Sequence, residues 1–291
     1  GVDSIGAEVE NIRLKEKSCF KVEQMQANIV LNPTSLMATN VFLKTGHSLI
    51  QRDFILQFPS LEKIAEDVNK LQFDVEVQNS YFGFQDLYYL APEVASQPSM
   101  GFLKNKTMYV DGSVKGTVEN LHIPQLTVRI PDSTLLFVQG NIKNVMDLNN
   151  LQVNLPKLHL KTTAQALESL LPDSSIPSNI QLPHSIDLRA SASGHIKDMK
   201  AKLDLASSFG NLHGDFLLQS KDSSWETASY SADLKIPSFQ LDRLMKDTTF
   251  GSFSFEGTVE GKGLTADNVH AELDAVLSEF EYQDYTYSNL D

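Results

Sequence analysis

From Thr107 onward, apolar and polar residues alternate in one short run after another. Leu126-Thr-Val-Arg-Ile130, Ile186-Asp-Leu-Arg-Ala190, Lys202-Leu-Asp-Leu205, Asp233-Leu-Lys-Ile236, Ser252-Phe-Ser-Phe255, Ala271-Glu-Leu-Asp-Ala275 and Phe280-Glu-Tyr282 all have a period of two. That period predicts strands with one wet and one dry face. Gly, Asn and Asp at the run ends mark turns. The N-terminal part reads as strands too: Val22 to Val30, a turn at Asn32-Pro33-Thr34, Leu36 to Lys44, a turn at Thr45-Gly46, then Ser48 to Phe58. Phe73-Asp-Val-Glu-Val77 is a further alternating strand.

Helical spacing is confined to a few stretches. Ser60 to Leu71 places Leu61, Ile64, Ala65, Val68 and Leu71 on one face, with Ser60 as N-cap and Glu66 and Lys70 paired outside. Phe84 to Leu90 is a shorter helix stopped by Pro92, and 91–100, with two prolines, predicts a boundary. The expected organisation is a β-rich segment over 1–95 with a helix at 60–71, then a degenerate β-repeat segment over 96–291 that forms a continuous groove with the first. Pro172 to Pro183 reads as a proline- and serine-rich connector.

Two short signatures recur. One is a glycine, any residue, Ile or Val, then Lys or Glu, beginning at Gly116, Gly140, Gly194 and Gly257. The other is Ile or Leu followed by proline and further alternating apolar residues, at Ile123-Pro124, Leu155-Pro156 and Ile236-Pro237, with a weaker copy at Phe58-Pro59. A helix-like run follows the later two full copies, Thr163 to Leu171 and Leu241 to Met245. The spacing is irregular, so this is a degenerate array with insertions. The dry faces must pack on something. Two sheets could bury each other, or one curled sheet could line a trough; the pattern alone leaves both open.

Composition narrows the function classes. The 291 residues carry a formal charge of −13. That argues against nucleic acid, whose phosphates demand a basic face, and equally against electrostatic docking on anionic headgroups, but leaves apolar contact with lipid tails open. Cys19 is the sole cysteine, so neither an intramolecular disulfide nor a cysteine-rich zinc site exists. No apolar run approaches the ~20 residues of a transmembrane helix. The chain opens at Gly1 and stops at Asp291 inside a β-like pattern, which predicts a piece of a longer protein with any anchor elsewhere. The seven histidines lack metal-ligand spacing; His159 and His195 read as outward strand residues. Gly257-Thr-Val-Glu-Gly-Lys262 is one residue short of a phosphate loop, and Gly263 stands where Ser or Thr belongs. Ser60-x-x-Lys63 is better explained as a helix cap. The expectation is a protein without enzymatic activity, cofactor or metal.

Several strings resemble the translocation and assembly module TamB proteins of Bacteroidetes, within the AsmA-like group. They are Lys15-Glu-Lys-Ser-Cys-Phe-Lys-Val22 followed by Val41-Phe-Leu-Lys-Thr-Gly46, Phe84-Gln-Asp-Leu-Tyr-Tyr-Leu-Ala-Pro92, Ile176-Pro-Ser-Asn-Ile-Gln-Leu-Pro183, Ser208-Phe-Gly210 and Tyr285-Thr-Tyr-Ser-Asn-Leu-Asp291. Cys19 departs from the small residue expected there. The resemblance implies a mainly β chain: an elongated, curled antiparallel sheet folded into a taco-like repeating groove, with a few short helices. It implies a periplasmic location, with a tether to the inner membrane outside this chain. It further implies a role in moving phospholipid between inner and outer membranes, and an outer-membrane assembly protein as partner.

The candidate groove residues are Val128 and Ile130; then Val153, Leu155, Leu158 and Leu160; then Leu188, Leu203 and Leu205; then Leu234 and Ile236; and last Phe253, Phe255 and Leu273. They would shield phospholipid acyl chains. One alternative is a scaffold for outer-membrane protein assembly, whose open edges pair with client strands. Another is a carbohydrate-binding β protein, for which Trp225 alone is weak support.

Overall fold

The structure, a computed structural model, describes residues 4–16, 20–64, 70–90, 92, 103, 105–145, 147–170, 176–220, 227–263, 268, 270–283 and 285–290. Among the described residues the chain is mainly β, 71% in strands, with three short helices. Sixteen strands form one unclosed antiparallel sheet whose spatial order is the sequence order. Within each of two units each strand pairs with its sequence neighbour, the arrangement that short turn-linked runs favour. The chain divides into two compact units, Gly1–Leu148 and Asn149–Asp291.

The first unit holds β1 (Ile5–Lys15), β2 (Lys21–Asn32), β3 (Ser35–Thr45), β4 (Leu49–Gln57), β5 (Gln72–Gly83), β6 (Thr107–Thr117), β7 (Asn120–Ile130) and β8 (Thr134–Lys143). Helix α1 (Phe84–Leu90) follows β5, as its spacing predicts. The expected helix over 60–71 is not realised in the described part: Leu61–Lys63 form one 3₁₀ turn. Ser60 makes no side-chain cap bond to this turn. Residues 65–69 lie outside the described residues.

The second unit holds β9 (Gln152–Thr163), β10 (Ser185–His195), β11 (Asp198–Ser207), β12 (Gly210–Gln219), β13 (Ser229–Gln240), β14 (Phe250–Lys262), β15 (His270–Tyr282) and β16 (Tyr285–Leu290). Helix α2 (Ala164–Leu170) follows β9, and α3 (Leu241–Met245) follows β13. The glycine string at Gly257 lies inside β14, in a strand and not a phosphate loop.

The recurring signatures have a structural meaning. Each proline copy is a β-bulge. The register slips between Ile123 and Leu126, opposite the Leu155–Leu158 step, and between Ile236 and Phe239. A bulge interrupts the ladder, so the N–H that proline lacks is not missed. The extra residue also keeps the apolar residues on both sides of the slip on one face. In the first unit the same three-residue step occurs at Val9/Ile12, Ala38/Val41 and Val77/Ser80. There Asn11, Asn40 and Asn79 adopt φ of 53°, 50° and 49°, which asparagine tolerates better than most residues. The N–H groups of Asn40 and Asn79 donate to Asp53 Oδ1 at 2.9 Å and Asp111 Oδ1 at 2.5 Å. The weaker copy at Phe58-Pro59 is not a bulge; it follows β4 in a bend, with Phe58 N–H donating to Thr34 O. In the glycine signature, Gly116, Gly140 and Gly194 have φ of 112°, 141° and 122°, a region nearly closed to other residues.

Candidate functional site

Cross-strand partners share a face, so the registers decide which candidate residues meet. In the second unit Leu160, Leu188, Leu205 and Leu212 are successive partners across β9 to β12. The next row runs Leu158, Ala190, Leu203, Gly214, Leu234, Gly257 and Ala275. A third runs Leu155, Ala192, Ala201, Phe216, Ala232, Val259 and Leu273. Val153 partners Gly194, Ile236 partners Phe255, and Phe253 partners Phe239. All twelve candidates of this unit therefore lie on one face, brought together by the bulges. In the first unit Val128 sits between Val110 and Leu136, and Ile130 opposes Thr134, on that unit's apolar face.

The rows are uneven. In the second row the bulky leucines of β9, β11 and β13 alternate with the small Ala190, Gly214 and Gly257 of β10, β12 and β14. Along each strand these small residues are flanked by bulky ones, Leu188 on β10 and Leu212 and Phe216 on β12, and the Phe216 and Leu234 side chains reach over Gly214, so the small residues form local dips in the face.

Exposure divides the face. Leu155, Ile236 and Phe255 are buried, as is Ile130 in the first unit. Leu273 is 67% exposed, and the other candidates are half-buried. Burial is deepest where Phe209, Ile236, Phe239 and Phe255 cluster under Leu244 of α3. The rings of Phe209 and Phe239, and of Phe239 and Phe253, meet edge to face at 6.5 and 6.3 Å. Away from that cluster Leu155 and Ala232 are also buried, while the other candidates stay half-buried or exposed; among the described residues no large side chain is fully buried.

The opposite face of the second unit is polar. Lys202 pairs with Asp215 at 2.6 Å and Lys235 with Glu256 at 2.8 Å. His159 Nε2 and Lys161 Nζ both reach Asp187, at 2.7 and 3.0 Å. Partial burial acts to raise the Asp187 pKa, but hydrogen bonds from Lys161 and His159 outweigh it and hold the carboxyl below its ordinary value. Such exposed pairs contribute about 0–1 kcal/mol each; their main effect is to keep this face wet. A depression of about 430 Å³ is lined by Ser191, Lys202 and Asp215 of this face together with Leu155, Ala201 and Phe216 of the apolar row. Among the described residues no group of three or more His, Cys, Asp or Glu is placed to hold a metal ion. Cys19 and Trp225 lie outside the described residues.

The first unit contains a site that the sequence did not disclose. Asp86, at the start of α1, is 2% exposed. It accepts hydrogen bonds from Thr45 Oγ1 and, at 2.5 Å, from Ser48 Oγ. Thr45 Oγ1 in turn accepts from Ser48 N–H at 2.8 Å. This clasp fixes α1 against the β3–β4 turn across 38 residues of sequence, with no local signal beyond the hydroxyls around Gly46. Phe209 and Phe239 were also missed as the centre of burial. Phe209 entered the sequence reading only within the Ser208-Phe-Gly210 string, and Phe239 only as an apolar position of the proline signature at Ile236-Pro237.

The chain matches no protein-family model, no curated protein and no solved structure. The case for its function therefore rests on the face itself.

Proposed function

We propose that this chain is a non-enzymatic segment of a TamB- or AsmA-like protein of the bacterial periplasm, and that its apolar face shields phospholipid acyl chains on their way between the inner and outer membranes. The observation that carries this reading is the sidedness of the second unit. Twelve candidate apolar residues share one face, and most are left half-buried. An exposed apolar expanse of this kind in a polar surround marks a binding surface. Each methylene moved from water onto it contributes about 0.8 kcal/mol, so a run of several methylenes holds a chain while the phosphate head stays in water. The tether to the inner membrane and an outer-membrane partner belong to the same proposal and lie beyond this chain.

The test is transfer of a fluorescent phospholipid between donor and acceptor vesicles by the purified chain. Leu203→Asp combined with Leu273→Asp places two charges on the apolar face, one of them at a highly exposed position where the folding cost is small. Transfer should fall about tenfold or more, because each buried charge costs several kcal/mol against hydrocarbon. Glu272→Ala, on the opposite face, should leave it unchanged. Equal transfer by all three proteins would refute the proposal. It would shift weight to a scaffold whose strand edges pair with client strands.

A further inference from the structure

Residues 176–183, read in the sequence as a connector, lead into β10 but are bonded to α3, which follows β13. Gln181 N–H donates to Leu244 O at 2.8 Å. Lys246 Nζ donates to Ser178 O at 2.8 Å. Three strand spacings separate β10 from β13, about 14 Å, so the segment crosses the ends of β11 and β12 as a strap. Ile180 and Leu182 are half-buried and Pro183 is buried. The helix that the strap holds is the one that sets Leu244 on the Phe209, Ile236, Phe239 and Phe255 cluster. Strap and α3 therefore lie at the phenylalanine cluster, while half-buried Phe216 belongs to a row away from them that ends at Leu273, 67% exposed, in the open half.

The anchorage of α3 is slender. Gln240 N–H donates to Phe209 O at 2.8 Å and Lys246 N–H to Asp242 O, but the N-cap Gln240 makes no side-chain cap bond and its Oε1 is buried without a hydrogen-bond partner. Its C-cap, Lys246, is held at φ 53°, a left-handed conformation that is unfavourable for lysine. A five-residue helix held in this way is displaced more easily than the strands, and the strap is tied to it through Gln181 and Lys246.

We propose that the strap and α3 form a gate on the apolar face. Bound, they close the half around Phe253 and Phe239 to acyl chains. Released, they let a chain slide from the open half at Phe216 onto the phenylalanine cluster. This rests on the reading of the face as an acyl-chain site.

The experiment uses a photo-reactive benzophenone side chain in place of Phe253 or of Phe216, with phosphatidylethanolamine vesicles as the lipid source. In a Cys19→Ser background, Gln181→Cys with Leu244→Cys joins strap to helix when oxidised. The reduced form of the same protein is the reference, so any loss of Leu244 packing cancels. Locking should cut lipid adducts at position 253 about tenfold and leave position 216 unchanged; reduction should restore them. In a separate protein without the cysteine pair, Lys246→Ala removes the second tie and should raise labelling at 253 about fivefold. Equal labelling at 253 in both redox states overturns the gate, as does a parallel loss at 216. If the cystine does not form, an unchanged yield in Lys246→Ala overturns it instead. Absence of adducts at both positions in every form removes the acyl-chain reading, and the gate with it.

Discussion

Gly194 tests the account of the glycine signature most sharply. It sits on the apolar face of β10 between Val153 and Met199, at φ 122°. A Cβ added there would fall well inside contact distance of the Asp198 carbonyl oxygen and 3.1 Å from Met199 Cα. Both are backbone atoms of the neighbouring strand, so no rotamer change relieves the clash. Placing alanine in that φ region costs about 1–3 kcal/mol, and crowding an already packed strand pair adds about 1–3 kcal/mol. The lower entropy of unfolded alanine returns about 0.4–1 kcal/mol. Gly194→Ala should therefore destabilise the second unit by about 3 kcal/mol, read as a lower midpoint in urea unfolding followed by far-UV circular dichroism. Gly6→Ala is the matched control: its Cβ would meet nothing within 4 Å, and the change should stay within about 0.5 kcal/mol. If the two variants unfold alike, the glycine recurs for some reason other than backbone geometry.

Phe239→Ala should cost about 3–4 kcal/mol, because its ring touches those of Phe209 and Phe253 in the most buried part of the face; a melting curve checks this, and an unchanged midpoint refutes the cluster. Asp86→Ala should cost about 2–3 kcal/mol by leaving the buried Thr45 and Ser48 hydroxyls without their acceptor, and faster hydrogen exchange should be concentrated in α1. For Asp187, the folded pKa is depressed, so its contribution is fully present above the ordinary carboxylate value of about 4 and fades as pH falls through the folded value. Asp187→Asn should thus lose up to about 1 kcal/mol at neutral pH and lose nothing in strong acid. A gap that widens on acidification contradicts the pairing with Lys161 and His159.

The strands were legible because the second unit alternates cleanly. Lys202-Leu-Asp-Leu205 and Asp233-Leu-Lys-Ile236 announce both the strand and its dry side. The first unit was read less well, and only Val128 and Ile130 were named in it. Its opposite face also carries apolar residues: Val30, Met37 and Ile55 are successive cross-strand partners, which blurs the period of two. The bulges at Asn11, Asn40 and Asn79 then shift the parity within single strands. The expected helix at 60–71 rested on spacing, on Ser60 as N-cap and on the Glu66–Lys70 pair; Ser60 makes no side-chain cap bond, and 65–69 lie outside the described residues. Exposure within the face was not legible at all. Leu155 and Leu273 have equivalent patterns, yet one is buried and the other stands 67% exposed. The difference depends on what lies over each strand, which no local string encodes. Similarly, the 176–183 string gave no sign of its bonds to α3, more than 60 residues away in sequence.

The most direct test of the central claim is native mass spectrometry of the chain purified without detergent and incubated with phospholipid vesicles, with organic extraction of the same sample. An apolar face that takes acyl chains predicts a ladder of masses spaced by one phospholipid, and recovery of that lipid in the extract. A single lipid-free mass before and after incubation, with a clean extract, contradicts it.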